Sequence, residues 1–137
     1  MPRIAGLLET SLYVDDLPAV SAFYEHVLEL PVMFRSDRLI AHDAGRQGVL
    51  LLFHKGSTSE DMATPNGVIP GHEGEGRLHL AFAIATAEYD PWKTRLEQAD
   101  IAVTSEVTWS RGGRSLYFLD PGGNVVELAT PGLWPNY

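Results

Sequence analysis

Glu9, His79 and Glu127 carry side chains that bind cations or move protons, and each falls in a stretch that reads as a β-strand: Leu7–Val14, Leu78–Ile84 and Val125–Thr130. Successive strand side chains point to opposite faces, so Glu9 shares a face with Ser11 and Tyr13 while Leu8, Thr10 and Leu12 take the other. A carboxylate or imidazole in a strand interior is costly to desolvate unless it is paired or metal-bound. For any single histidine a hydrogen-bonded core role is the simpler reading, and a lone glutamate at a sheet edge simply reaches water.

Other groups surround them. The loop Trp109-Ser110-Arg111-Gly112-Gly113-Arg114 holds two cations among glycines, which suits an anionic substrate group or a solvated turn. His72, in Pro70-Gly71-His72-Glu73-Gly74, has flexible neighbours and is a candidate to close over a substrate or carry a proton, against a plain exposed role. His26, His42 and His54 read as structural. Tyr24, Phe53, Phe82 and Trp92 read as core.

The elements that must position these residues come in two similar sets. After Leu7–Val14, Asp16 can cap a helix with Pro18 in its first turn, and Leu17, Val20, Phe23, Tyr24, Val27 and Leu28 follow at helical spacing. Strands are predicted at Val32–Arg35, Arg38–His42 and Val49–His54, with a turn at Asp43–Gly48. The order restarts at Leu78–Ile84. Asp90-Pro91 predicts a second helix start, Ile101–Val107 a strand, and Ser115–Leu119 and Val125–Thr130 a hairpin closed by Asp120-Pro121-Gly122-Gly123-Asn124. Each half thus reads β-α-β-β-β, with Glu9 and His79 equivalent at an offset of 70. The expected layout is one domain over 1–137: module one about 4–54, a connecting loop about 55–76, and module two about 77–132.

Neither half alone buries enough apolar surface, so the two sheets are expected to pair within one chain or between two. The chain has 137 residues and no cysteine, which excludes disulfides and thiolate metal sites. Its formal charge of −8 argues against nucleic acid and anionic membrane surfaces as partners and permits metal cations. The longest apolar run is Val49–Phe53, and Met1-Pro2-Arg3-Ile4 lacks a signal-peptide pattern, so a cytoplasmic address is expected.

Three segments, Glu9–Leu17 with Phe23-Tyr24, Leu78–Phe82, and Tyr117-Phe-Leu-Asp-Pro-Gly-Gly-Asn-Val-Val-Glu127-Leu128, resemble the vicinal-oxygen-chelate superfamily: glyoxalase I, extradiol dioxygenases, methylmalonyl-CoA epimerase, fosfomycin-modifying transferases and bleomycin-binding proteins. The resemblance spans nearly the whole chain in the right order. It implies an α+β fold of two tandem βαβββ modules forming a cupped, incompletely closed mixed β-barrel with helices outside.

The resemblance also implies one divalent metal held by Glu9, His79 and Glu127. The fourth ligand position of some members falls on Leu50 or Leu51, neither of which binds metal. One imidazole with two carboxylates suits Zn, Ni, Mn, Fe or Co. The implied chemistry is chelation of two adjacent substrate oxygens, with Glu9 or Glu127 moving the proton in a glyoxalase-like lyase or isomerase. Tyr117, ten residues before Glu127, matches a substrate-binding tyrosine of the fosfomycin transferases, or is a core aromatic. A small-molecule substrate and a homodimer are expected. The competing readings are a thiol transferase, dioxygenase-like chemistry, and a non-catalytic binder that sequesters a cationic drug.

Overall fold

The computed structural model describes residues 1–137 and divides them into two compact units, 1–75 and 76–137. No helix is long and apolar enough to cross a membrane.

The first unit begins with β1 (Glu9–Val14) and α1 (Leu17–His26), followed by β2 (Val32–Arg35), β3 (Leu39–Asp43) and β4 (Val49–His54). Asp16 caps α1 by accepting from the Ala19 amide at 3.1 Å, with proline in the first turn as predicted. The sheet order is β1-β4-β3-β2, with β1 parallel to β4 and the other pairs antiparallel. Its core lies between sheet and helix: Leu12, Val14, Leu17, Val20, Tyr24, Ile40, Leu50 and Leu52 are buried. Alternation therefore sends Glu9, Ser11 and Tyr13 to the face away from the helix, here called the distal face.

The connecting segment has structure that its composition does not announce. It holds a ribbon of β5 (Met62–Thr64) and β6 (Gly67–Ile69), three residues each and too short for a period to be read.

In the second unit, β7 (His79–Ala83), α2 (Tyr89–Gln98), β8 (Ser105–Thr108), β9 (Arg114–Leu119) and β10 (Val125–Ala129) form a sheet ordered β7-β10-β9-β8, again with one parallel pair. Leu116, Phe118, Val126 and Leu128 face the helix side and are buried with Tyr89 and Leu96. The hairpin turn forms as expected: Asp120 Oδ1 accepts from the Gly122 and Asn124 amides, and Gly123 takes φ +83°.

The expected mixed α+β class, with two four-stranded sheets and two helices, is what the chain adopts. Three local expectations are corrected. The second helix starts at Tyr89, directly after a short 3-10 turn and with no side-chain cap, because the Tyr89 ring is buried and its hydroxyl donates to Glu106 and to the Ser115 carbonyl. The strand expected at Ile101–Val107 begins only at Ser105: the left-handed Asp100 (φ +57°) ends the helix, and the Ile101 amide still donates to the Leu96 carbonyl. Phe82 and Trp92 are half-buried rather than core, with Arg95 over the Trp92 ring.

Candidate metal and substrate site

His79 and Glu127 meet on the distal face of the second unit. The parallel register pairs Glu127 with Ala81, two residues beyond His79, so both side chains leave the sheet on the same side of adjacent strands. His79 Nε2 lies 3.2 Å from Glu127 Oε1, the imidazole side chain 52% exposed and the carboxylate 7%. His79 Nδ1 donates to the Val125 carbonyl at 3.1 Å, which fixes the ring's orientation. Nε2 therefore presents a lone pair toward a carboxylate oxygen unless a proton or cation sits between them. Such a pair suits a divalent cation, and a backbone carbonyl behind a ligating histidine is the usual support.

The other Glu127 oxygen is engaged. Ser115 Oγ donates to Oε2 at 2.5 Å, and Trp109 Nε1 donates to Ser115 Oγ at 2.8 Å. Tyr117 pairs directly with Glu127 across the β9–β10 ladder. Burial, then the Glu127 charge and a hydrogen bond to it, push the Tyr117 phenol above its ordinary value, so at neutral pH it is protonated and able to donate. Ser115 and Trp109 were not among the sequence candidates. Parity alone had a signal, since Ser115 shares a strand face with Tyr117.

Glu9 lies in the first unit, exposed at the start of β1. Neither unit by itself gathers three His, Asp or Glu side chains into a metal-holding group. In the first unit's ladder Ser11, two residues beyond Glu9, pairs with Leu51, as Ala81 pairs with Glu127 in the second. The repeat thus sets Leu51 at the place of Glu127, while Leu50 is buried on the helix side. Both residues on which the resemblance places a fourth ligand are thus leucines.

The remaining candidates separate. Arg111 is exposed in the turn before β9. Arg114 shares parity with Leu116 and Phe118, and its guanidinium lies 3.8 Å over the Tyr89 ring, on the sheet face opposite Glu127. His72 is half-buried, its Nδ1 sharing a 2.6 Å hydrogen bond with Tyr13 Oη. His42, buried on the helix side, donates from Nδ1 to the Leu30 carbonyl and takes the Ser21 hydroxyl at Nε2, so it is structural.

Comparison with known proteins adds three relatives and a family. Residues 6–128 match the family model of the Glyoxalase/Bleomycin resistance protein/Dioxygenase superfamily. A crystal structure of lactoylglutathione lyase from Agrobacterium tumefaciens is 36% identical, with a TM-score of 0.89 over 98% of this chain and 99% of that one. Glutathione transferase FosA of Serratia marcescens is 40% identical over 63 residues, 44% of this chain but only 40% of that protein's length. Metallothiol transferase FosB of Staphylococcus saprophyticus is 24% identical over 128 residues, 93% of this chain and 78% of the transferase.

Proposed function

Since the chain belongs to the Glyoxalase/Bleomycin resistance protein/Dioxygenase superfamily, we propose that it is a divalent-metal-dependent enzyme of the three-ligand, thiol-transferring kind. Its substrate is a small molecule with adjacent oxygens. The observation that carries this reading is the His79–Glu127 pair, an imidazole nitrogen and a carboxylate oxygen 3.2 Å apart with their outer atoms already hydrogen-bonded. Glu9 is the third ligand in this reading, supplied by β1 of the same chain or of a second copy in a homodimer. When bound, the ion supplies Lewis-acid polarisation of the substrate oxygens.

The chain's own groups divide the remaining work. Glu127, clamped by Ser115, is a fixed ligand rather than one that loosens. Glu9, exposed and outside that clamp, is the carboxylate suited to take the thiol proton. Tyr117, protonated at neutral pH and hydrogen-bonded to Glu127 without substrate, turns its O–H to a substrate oxygen as negative charge builds there.

Leu51 in place of a fourth ligand, and the transferase names of two relatives, favour thiol transfer. A glyoxalase-like lyase is the second reading, favoured by the full-length similarity to a lactoylglutathione lyase. One set of assays separates them. Protein purified without chelator is analysed for metal, then loaded with Mn2+ or Zn2+ and given glutathione with either fosfomycin or an α-ketoaldehyde. A fosfomycin–glutathione adduct supports transfer, and isomerisation of the hemithioacetal supports the lyase. Metal-free protein with micromolar affinity for a cationic glycopeptide overturns both in favour of a binder.

A further inference from the structure

The distal face of the first unit has two unlike ends. Around Glu9 and Ser11, whose ladder partners are Val49 and Leu51, it carries polar and aliphatic side chains and no aromatic ring. At the other end Tyr13 and Phe53, direct partners in the β1–β4 ladder, stack at 5.8 Å, and His72 meets both rings edge-on at 5.7 and 4.9 Å. His72 is held there by its backbone. Its amide donates to the Thr58 carbonyl at 2.8 Å, Thr58 Oγ1 donates to its carbonyl at 2.5 Å, and the Gly71 amide donates to Asp61 at 2.8 Å. Gly74 lies so close that a Cβ would overlap the Tyr13 ring. The segment is strapped onto the sheet rather than poised to swing.

A neutral imidazole whose Nδ1 takes the Tyr13 hydroxyl keeps Nε2–H as a donor. In that tautomer His72 is an oriented hydrogen-bond donor beside the Tyr13 and Phe53 rings. Tyr13 stands four residues along β1 from Glu9, about 13 Å at the strand rise. A three-carbon substrate at Glu9 does not reach it, but an extended tripeptide, about 10 Å long, nearly does.

We propose that His72, oriented by Tyr13, is a specificity-determining residue that donates to an acceptor oxygen at the far end of an elongated peptide-like ligand, the thiol co-substrate. This rests on the distal face being the substrate face, as the proposed function requires. The test uses glutathione as the probe, by calorimetry with and without Zn2+ and by steady-state kinetics. His72→Phe, which keeps the ring packing, is expected to raise the Kd and KM for glutathione at least tenfold. It should leave kcat at saturating thiol within twofold and Zn2+ affinity unchanged. His72→Gln, which keeps an N–H donor, should recover part of the loss, and Tyr13→Phe should show a smaller rise. Glutathione affinity equal in wild type and His72→Phe, or no saturable glutathione binding at all, overturns the role of His72. Absence of Zn2+ uptake overturns the metal reading separately, because the zinc-free titration still reports on His72.

Discussion

Ser115 Oγ donates to Glu127 Oε2 across 2.5 Å, from a strand whose pairing with β10 puts both side chains on one face. Ser115 is buried and itself receives the Trp109 indole N–H, so the chain Trp109–Ser115–Glu127 holds Oε2 while Oε1 faces His79. Supports of this kind typically govern metal affinity by about 10–100-fold.

Ser115→Ala removes the clamp and strands both Glu127 Oε2 and Trp109 Nε1. Zn2+ affinity is expected to fall by about 10–100-fold in a competition titration, while Ser115→Thr keeps the hydroxyl and stays near wild type. The buried unpaired groups also cost about 1–3 kcal/mol of stability. An unchanged zinc Kd in Ser115→Ala would remove Glu127 from the ligand set.

The repeat register makes a sharper demand. Leu51, half-exposed on the distal face, is the counterpart of Glu127, and Leu50 is not. In the proposed ligand set Leu51→Glu therefore adds a fourth ligand, its third carboxylate, and should tighten Zn2+ by about tenfold, or 1.4 kcal/mol. Leu50→Glu instead buries an unpaired charge against α1 and should cost about 3 kcal/mol or more, seen as a large loss of urea resistance. If both variants behave alike, the register argument fails.

The features legible in the sequence were those written locally. Asp16 with Pro18 starts α1, the Asp-Pro-Gly-Gly-Asn turn closes β9 on β10, and alternation gave Glu9, His79 and Glu127 their faces. The features missed depend on partners distant in the chain. The predicted hairpin and parity put Ser115 on the face of Tyr117, but nothing near it announces that its hydroxyl meets the Glu127 carboxylate, and nothing near Arg114 announces Tyr89. His72 read as a residue on a free loop because Pro and Gly dominate its neighbourhood. The structure fixes it through Thr58, Asp61 and Tyr13, none of them adjacent.

His42 gives the first unit a defined acid sensitivity. Burial, the largest cause, holds its imidazole below the ordinary 6.5 despite the opposing hydrogen bond to Leu30. As pH falls below about 6.5 the unfolded chain takes up the proton first, so its bound-proton count exceeds that of the folded chain and stability drops. The contribution is whole above 6.5 and is lost on the way down to the lower folded value. His42→Leu should be less stable at pH 7, by about 1–3 kcal/mol from the unpaired Ser21 hydroxyl and Leu30 carbonyl, yet show a shallower decline from pH 7 to pH 5 in urea melts. Equal slopes in both proteins would exclude His42 as the source.

Arg114 tests the assignment of faces. Its sequence position beside glycines suits an anionic substrate, but its guanidinium lies over the buried Tyr89 ring, whose hydroxyl donates to Glu106 at 2.7 Å. Burial and that acceptor push the Tyr89 phenol to about 12, so the ring is neutral through the working pH range and serves as a flat π surface for the cation. Arg114→Ala should lower stability by about 0.5–2 kcal/mol, read as a drop in Tm, because a desolvated cation–π contact is lost. The KM for fosfomycin or any other anionic probe should stay within twofold, since the side chain leaves the sheet on the face opposite Glu127. A tenfold rise in KM with an unchanged Tm would place Arg114 at the substrate and reverse the orientation of β9 on which the Ser115, Tyr117 and Glu127 arguments depend.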